Sequence, residues 1–415
     1  MNPSKTFTIS KNSVMAAFKA VKANGGSAGI DKQSIEDFER NLKDNLYKIW
    51  NRMSSGSYFP PAVKAVPIPK KSGGERILGI PTVSDRIAQM VVKLHFEPKV
   101  EAIFLPDSYG YRPGKSQLDA VGITRKRCWK YDWVLEFDIK GLFDNIDHEL
   151  MMRAVRKHTS EPWIILYIER WLRAPMQHAN GSLTERVKGT PQGGVVSPVL
   201  SNLFLHYVFD TWMERSFPDN PWCRYADDGL VHCKTIYAAE RILSALQARF
   251  AECKLELHPT KTKIVYCKDN NRKGTHGETK FDFLGFTFRS RAAVGNRNER
   301  FASFQPAVSN TSLKAMCEEI RTLRLRNRAD MSLGQIAKWF NPILNGWLNY
   351  YGAFYPSGLK RMLRCFNLAL IAWARRKYSS LGDRKTNAGK FIHGIAKKNP
   401  KLFAHWRKEM TGSFA

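Results

Sequence analysis

Trp222-Cys223-Arg224-Tyr225-Ala226-Asp227-Asp228-Gly229-Leu230-Val231 is the stretch on which the reading of this chain turns. Two adjacent carboxylates stand between apolar flanks of strand character. Side chains alternate across a strand, so a tight hairpin here aims one aspartate into a cleft while the other supports it. Two neighbouring acids are unfavourable unless a cation neutralises them. Mg²⁺ suits them, because it takes oxygen ligands and bridges carboxylates to phosphates. By itself an Asp-Asp pair fits a solvated turn equally well.

The rest of the chain decides between these readings. Phe137-Asp138-Ile139-Lys140 ends a strand expected over residues 133–138. An aspartate at a strand end is commonly a turn former. Beside Asp227 and Asp228, however, Asp138 makes a third carboxylate of a two-metal site. Such a site holds two ions about 3.5–4 Å apart, one activating an attacking hydroxyl and one holding a leaving phosphate. Three carboxylates this close raise each other's pKa, and metal ions supply the compensating charge.

Composition points to the same chemistry. The 415 residues are 43% hydrophobic, enough for a packed core and two or three domains. A net charge of +29 asks for a polyanion, either nucleic acid or an anionic membrane surface. No apolar run approaches the ~18 residues of a membrane span, and the N-terminus lacks the apolar core of a signal peptide. The seven cysteines never fall closer than the ten residues between Cys223 and Cys233, which argues against paired zinc ligands and suits reduced thiols in a cytosol. Residues 306–415 hold 20 of the 66 basic side chains but only 5 of the 37 acidic ones, which places a boundary near residue 305.

Local patterns predict the elements. Residues 62–68, bracketed by prolines, read as an edge strand. Lys70 to Arg76 reads as a basic hairpin turn. A helix opens at Ser84 and runs to about Phe104. Asp147 caps another helix, and Ser197-Pro198 opens a long one through Phe209. Residues 236–253 form an amphipathic helix, and 281–288 a single strand. Helices follow over about 309–328, 332–349 and 358–380. Arg321, Arg324 and Arg328 recur at helical spacing as one basic face, beside aromatics that suit either a core or the bases of RNA. His148, His158, His178, His206 and His232 show no ligand spacing and read as structural. The basic stretch 384–407, with Phe403-Ala404-His405-Trp406, fits a DNA-binding segment or a solvated helix equally well.

Taken in order, these motifs resemble the group II intron reverse transcriptases. Arg224 to Asp228 resembles their catalytic hairpin and Phe137 to Phe143 their first carboxylate motif. Thr190-Pro191-Gln192-Gly193-Gly194 resembles the nucleotide-pocket loop, and Phe283-Leu284-Gly285-Phe286 the primer grip. Pro69-Lys70-Lys71 with Arg76 resembles the fingers hairpin, and Tyr109 to Gly114 a template-binding motif. Asn345 to Tyr351 resembles the maturase thumb. Seven motifs in series leave little room for coincidence.

The resemblance implies a right-hand polymerase: α/β fingers and an α+β palm over residues 1–305, an all-α thumb over 306–382 and a short basic segment over 383–415. It implies that Asp138 and Asp227 ligate two Mg²⁺ ions, assisted by the Ile139 carbonyl and supported by Asp228. Lys70 and Arg76 would hold the incoming triphosphate. Phe143 would be the steric gate against a ribose 2′-hydroxyl, and Gln192 would line the base-pair pocket. Arg112 would meet the template, Leu284 and Gly285 the primer, and the loop from Asn24 to Asp31 would cover the templating base. The implied partners are intron RNA, a DNA target or primer and deoxynucleotides, with no membrane, in a bacterial cytoplasm close to the nucleoid. Monomer and homodimer both stay open. The missing Cys/His nuclease pairs imply priming from a nick or a nascent strand. Two other readings stand beside this one: a splicing maturase whose polymerase activity is secondary, and a relative recruited by its host for DNA repair or phage defence.

Overall fold

A computed structural model describes residues 6–69, 73–295, 298–381 and 384–408. The chain divides into two compact units. The first comprises Met1–Ser116, Leu135–Val231 and Ile236–Lys263; the second comprises Gln117–Val134, His232–Thr235 and Ile264–Ala415. Neither is continuous in sequence. The expected boundary near residue 305 falls inside a strand, Arg300–Val308, that belongs to the second unit. The charge contrast marks where basic residues cluster, whereas folding units follow strand pairing.

The site rests on a four-stranded sheet in the order Trp222–Tyr225, Asp228–Cys233, Trp133–Asp138, Lys263–Tyr266. Trp133–Asp138 is apolar and buried along most of its length, as a strand covered on both faces must be. Phe137, Phe209 and Phe250 pack behind it with ring centroids 4.9 and 6.0 Å from Phe137.

A second sheet, ordered Glu75–Ile80, Val63–Pro69, Met176–Gln177, Leu183–Thr184, forms the fingers region. The strand expected as an edge is internal over its first two residues, where Val63 and Lys64 pair in parallel with Met176 and Gln177. From Ala65 onward that side has no sheet neighbour among the described residues, and this is where Pro67 and Pro69 sit. The antiparallel register Pro69↔Glu75 brackets the expected basic turn, whose Lys70 lies outside the described residues.

The helix expected from Ser84 is Val83–Glu101, capped two residues earlier than read: Thr82, not Ser84, accepts the Asp85 amide. Arg86 on this helix donates to the carbonyls of Gly25 and Ser27 and so pins the N-terminal loop. Asp147 caps His148–His158 as expected. The helix that Ser197-Pro198 opens is α-helical only to Leu205. It continues as a π-helical turn, His206–Asp210, before Thr211–Ser216 resumes the α form.

In the second unit the single strand expected over 281–288 is two. Lys280–Phe283 and Phe286–Val294 pair through the two-residue turn Leu284-Gly285, with φ of 51° and 79°. Tyr350 donates to the Leu284 carbonyl, and the Ser309 amide to that of Gly285. The helices Asn310–Thr322, Leu333–Tyr351 and Lys360–Lys377 close on a core that includes Phe340, Phe366 and Trp373. The first ends at Thr322, short of the expected 328. Arg324 adopts a left-handed conformation and Leu325–Asn327 is a 3₁₀ turn, so Arg321, Arg324 and Arg328 do not share one helical face, although all three are exposed. Phe403, His405 and Trp406 are buried in this core, and Asn341 bonds to Leu402 and Ala404, so the segment is docked on the helices. All seven cysteines are free thiols, six of them buried.

Candidate active site

Tyr225 pairs with Asp228, which leaves Ala226 and Asp227 as a two-residue hairpin turn. Ala226 holds a φ of 57°, a left-handed conformation that costs a non-glycine residue about 1–2 kcal/mol. Asp138 stands at the end of the central strand and is 8% exposed. The His258 amide donates to the Asp138 carbonyl and the Lys140 amide to that of Glu256, which clamps this strand end. Ile139 lies opposite Leu257 between those two bonds. In that antiparallel position its own carbonyl turns away from the clamp.

The three aspartates meet. The charges of Asp138 and Asp227 both act on Asp228. Burial, then those charges, push Asp228 up to about 7. Asp228 is itself exposed at the turn. Asp227 is raised too, by burial and by Asp138, against a backbone hydrogen bond that favours its ionised form. One cation stands among them. Lys261 Nζ lies 2.9 Å from Asp138 Oδ2. Burial works against this ammonium, but its bond to Asp138 and the three carboxylate charges leave its pKa raised. Among the described residues no three or more His, Cys, Asp or Glu side chains form a ready-made metal cage. Asp138 gives an oxygen to Lys261 instead.

Phe143, half-buried on the short helix Leu142–Asn145, meets Tyr111 edge-on at 6.5 Å between centroids. Burial and the charges of Asp227 and Tyr225 raise the Tyr111 hydroxyl, and the charge of Arg76, exposed on its strand, opposes them. Gln192 donates to Asp144, one residue from Phe143, and its carbonyl accepts from the Gly79 amide. Asp138, Asp227, Asp228, Phe143, Gln192 and Arg76 therefore converge within the first unit. Leu284, Gly285, Arg321, Arg324 and Arg328 belong to the second.

Arg112 departs from its expected role. Its guanidinium is turned inward: Nε donates to Glu101, and the remaining nitrogens bond the carbonyls of Leu105, Ser108 and Phe104. A cation saturated this way shapes its own loop and has little left for a template. Lys261 was not singled out from sequence. It lies 123 positions from Asp138, and a lysine after Pro259-Thr260 carries no motif of its own.

A sheet that gathers carboxylates at a hairpin and a strand end, with a fingers sheet in the same unit, is the palm of a template-directed polymerase. The chain belongs to the reverse transcriptase (RNA-dependent DNA polymerase) family, whose sequence profile fits residues 68–288. The profile of the group II intron maturase-specific domain fits residues 313–391. The chain is similar to Protein YkfC of Escherichia coli strain K12, 30% identical over 318 residues, which covers 64% of this chain and 77% of that one. It is 32% identical over 193 residues to the group II intron-encoded protein LtrA of Lactococcus lactis subsp. cremoris, a match covering 46% of this chain and 32% of LtrA. A 91 kDa protein in the cob intron of Schizosaccharomyces pombe is 25% identical over 434 residues, covering 85% and 51%. No helix among the described residues is long and apolar enough to cross a membrane.

Proposed function

We propose that this protein extends a DNA primer with deoxynucleotides on group II intron RNA, and that it also helps that RNA fold and splice. The observation that carries the polymerase reading is the meeting of Asp138, Asp227 and Asp228 around the Lys261 ammonium. This donor set fits two Mg²⁺ ions. The oxygens are hard ligands, burial and the neighbouring carboxylates have raised two of the acids, and a cation already stands where positive charge is favoured. Asp138 and Asp227 would hold both ions, with the Ile139 carbonyl beside them and Asp228 in support. When bound, the ions acidify the attacking 3′-hydroxyl and neutralise charge on the departing pyrophosphate.

The chain's own groups supply positioning. Arg76, with Lys70, would bind the triphosphate through charge-assisted bonds. Phe143, braced by Tyr111, would exclude a ribose 2′-hydroxyl. Gln192 would border the nascent base pair, and the loop from Asn24 to Asp31, pinned by Arg86, would cover the templating base. The Leu284-Gly285 turn would seat the primer end. Arg321, Arg324 and Arg328 would hold RNA phosphates as separate exposed cations. With a charge of +29, the protein would stay with nucleic acid in the bacterial cytoplasm, and mobility of its intron would follow from the copied DNA.

Primer extension on an RNA template by Asp227→Asn and Asp228→Asn tests this reading. Extension should fall by roughly 10²–10³-fold or more while RNA affinity is unchanged. Extension at the parent rate overturns the assignment. Splicing of an intron transcript by the same variants separates the roles: retained splicing places it on another surface, and joint loss refutes that separation.

A further inference from the structure

The catalytic hairpin stands on a buried charge that the chemistry itself does not use. Arg224, three residues before Asp227, and Asp210 are both wholly buried. Their fork is bidentate: Nε to Oδ1 and Nη2 to Oδ2, each 2.7 Å. The other three guanidinium protons are also placed. Nη2 donates to Ser108 Oγ at 2.8 Å, and Nη1 to Asn202 Oδ1 and to the Ala226 carbonyl, both at 3.1 Å. The last bond reaches the turn residue whose left-handed φ sets the direction of Asp227.

The partners of Arg224 come from separate elements. Asp210 ends the π-helical turn His206–Asp210, and a π turn inserts a residue that re-aims the chain beyond it. Asn202 lies on the α-helix before that turn and donates from Nδ2 to the Gly110 carbonyl at 2.7 Å. A Cβ on Gly110 would lie 2.4 Å from the Ala226 nitrogen, so this backbone abuts the catalytic turn directly. The Arg224 backbone is held as well, its amide donating to Asp107 and its carbonyl accepting from Tyr109. A buried ion pair seldom stabilises a fold better than apolar side chains of equal volume, and its best-attested use is to specify one arrangement.

We propose that Arg224 is a positioning residue: the pair it forms with Asp210, delivered by the π turn, fixes the Ala226 conformation and thereby aims the Asp227 carboxylate at its cation. The inference rests on the reading of Asp227 as a metal ligand. Its failure and the failure of that reading are separable.

The test is Mn²⁺ binding to the full chain without nucleic acid, followed by electron paramagnetic resonance, together with dNTP kinetics and melting. The variants are Arg224→Lys, Asp210→Asn and, as reference, Asp227→Asn. Lysine keeps the charge but loses the fork and the Ala226 bond. Asparagine keeps the shape of Asp210 without its charge, and serves if Arg224→Lys does not fold. The expected result is a folded variant with Mn²⁺ affinity about tenfold lower, kcat lower by roughly 10²-fold and KM for dNTP within about twofold. Parent-like Mn²⁺ affinity and kcat with a lowered melting temperature would show that the pair serves stability alone, and would overturn the proposal. If Asp227→Asn itself leaves Mn²⁺ binding unchanged, the metal-ligand reading beneath the proposal falls, and the proposal with it.

Discussion

Gly229→Ala is the substitution whose effect the structure sizes most directly. Gly229 follows Asp228 on its strand, and the Phe137 ring lies across it. An added Cβ would meet Phe137 Cζ at 2.1 Å, Cε1 at 2.4 Å and Cε2 at 2.7 Å, where ordinary contact begins at 3.4 Å. Ring or strand must yield by about 1.3 Å, the gap between 3.4 and 2.1 Å. Phe137 has little room to move, being 1% exposed against Phe209 and Phe250. Overpacking of this kind costs about 1–3 kcal/mol, and the depth of the clash puts this case near the top. At roughly 2–4 °C per kcal/mol for a unit of this size, the melting temperature should fall by about 5–10 °C. Both displaced strands carry aspartates of the site, since Asp138 follows Phe137 and Asp228 precedes Gly229. A shift near 1 Å there should lower primer extension by on the order of 10²-fold, at a temperature where the variant stays folded. Thermal melting and single-turnover extension read the two effects. Adding Phe137→Leu, which removes the clashing ring atoms, should restore much of both. A Gly229→Ala protein that melts within 1–2 °C of the parent and extends within about twofold would refute the reasoning.

Phe143→Ala should raise ribonucleotide incorporation relative to deoxynucleotides, most visibly in KM for rNTP; unchanged discrimination in a misincorporation assay would remove Phe143 from the gate. Glutamate in place of Arg321, Arg324 and Arg328 should weaken RNA binding and flatten the log–log salt dependence by about one unit for each phosphate released, so a parental slope would show that these cations do not meet phosphate. Burial lowers the His405 pKa to about 3. Its native form therefore stays neutral while the unfolded form takes a proton below about 6.5, and stability is lost as pH falls through that window, by about 2 kcal/mol at pH 5. His405→Gln should flatten this acid limb in melting curves taken between pH 7 and pH 4; an unaltered limb would mean that His405 titrates freely.

The parts of the fold that follow local rules were legible. The strand at 133–138, the Asp147 cap and the hairpin at Ala226-Asp227 depend on alternation, a side-chain acceptor and a short turn between apolar runs, all contained within a few residues. The departures also have local causes. Thr82 and Ser84 are both competent caps, and only the backbone path selects Thr82. Leu284 was hidden inside an alternating run, because a leucine seldom adopts positive φ. The π turn at His206–Asp210 adds one residue to an apolar helix, too small a change in period to see in a short segment. Arg112 carries the charge of a ligand-binding residue, and its saturation by Glu101 and three carbonyls emerges only when its loop closes.

The carboxylates, the basic excess and the order of the motifs were set by the sequence alone, because the identity and charge of a side chain do not depend on folding. Tertiary structure alone placed Lys261 among the three acids, turned Arg112 inward and brought Asp210 to the Arg224 guanidinium beside the Ala226-Asp227 hairpin. These arrangements join segments far apart in the chain. A buried charge finds its partner through the path of the backbone in space, which no local pattern encodes.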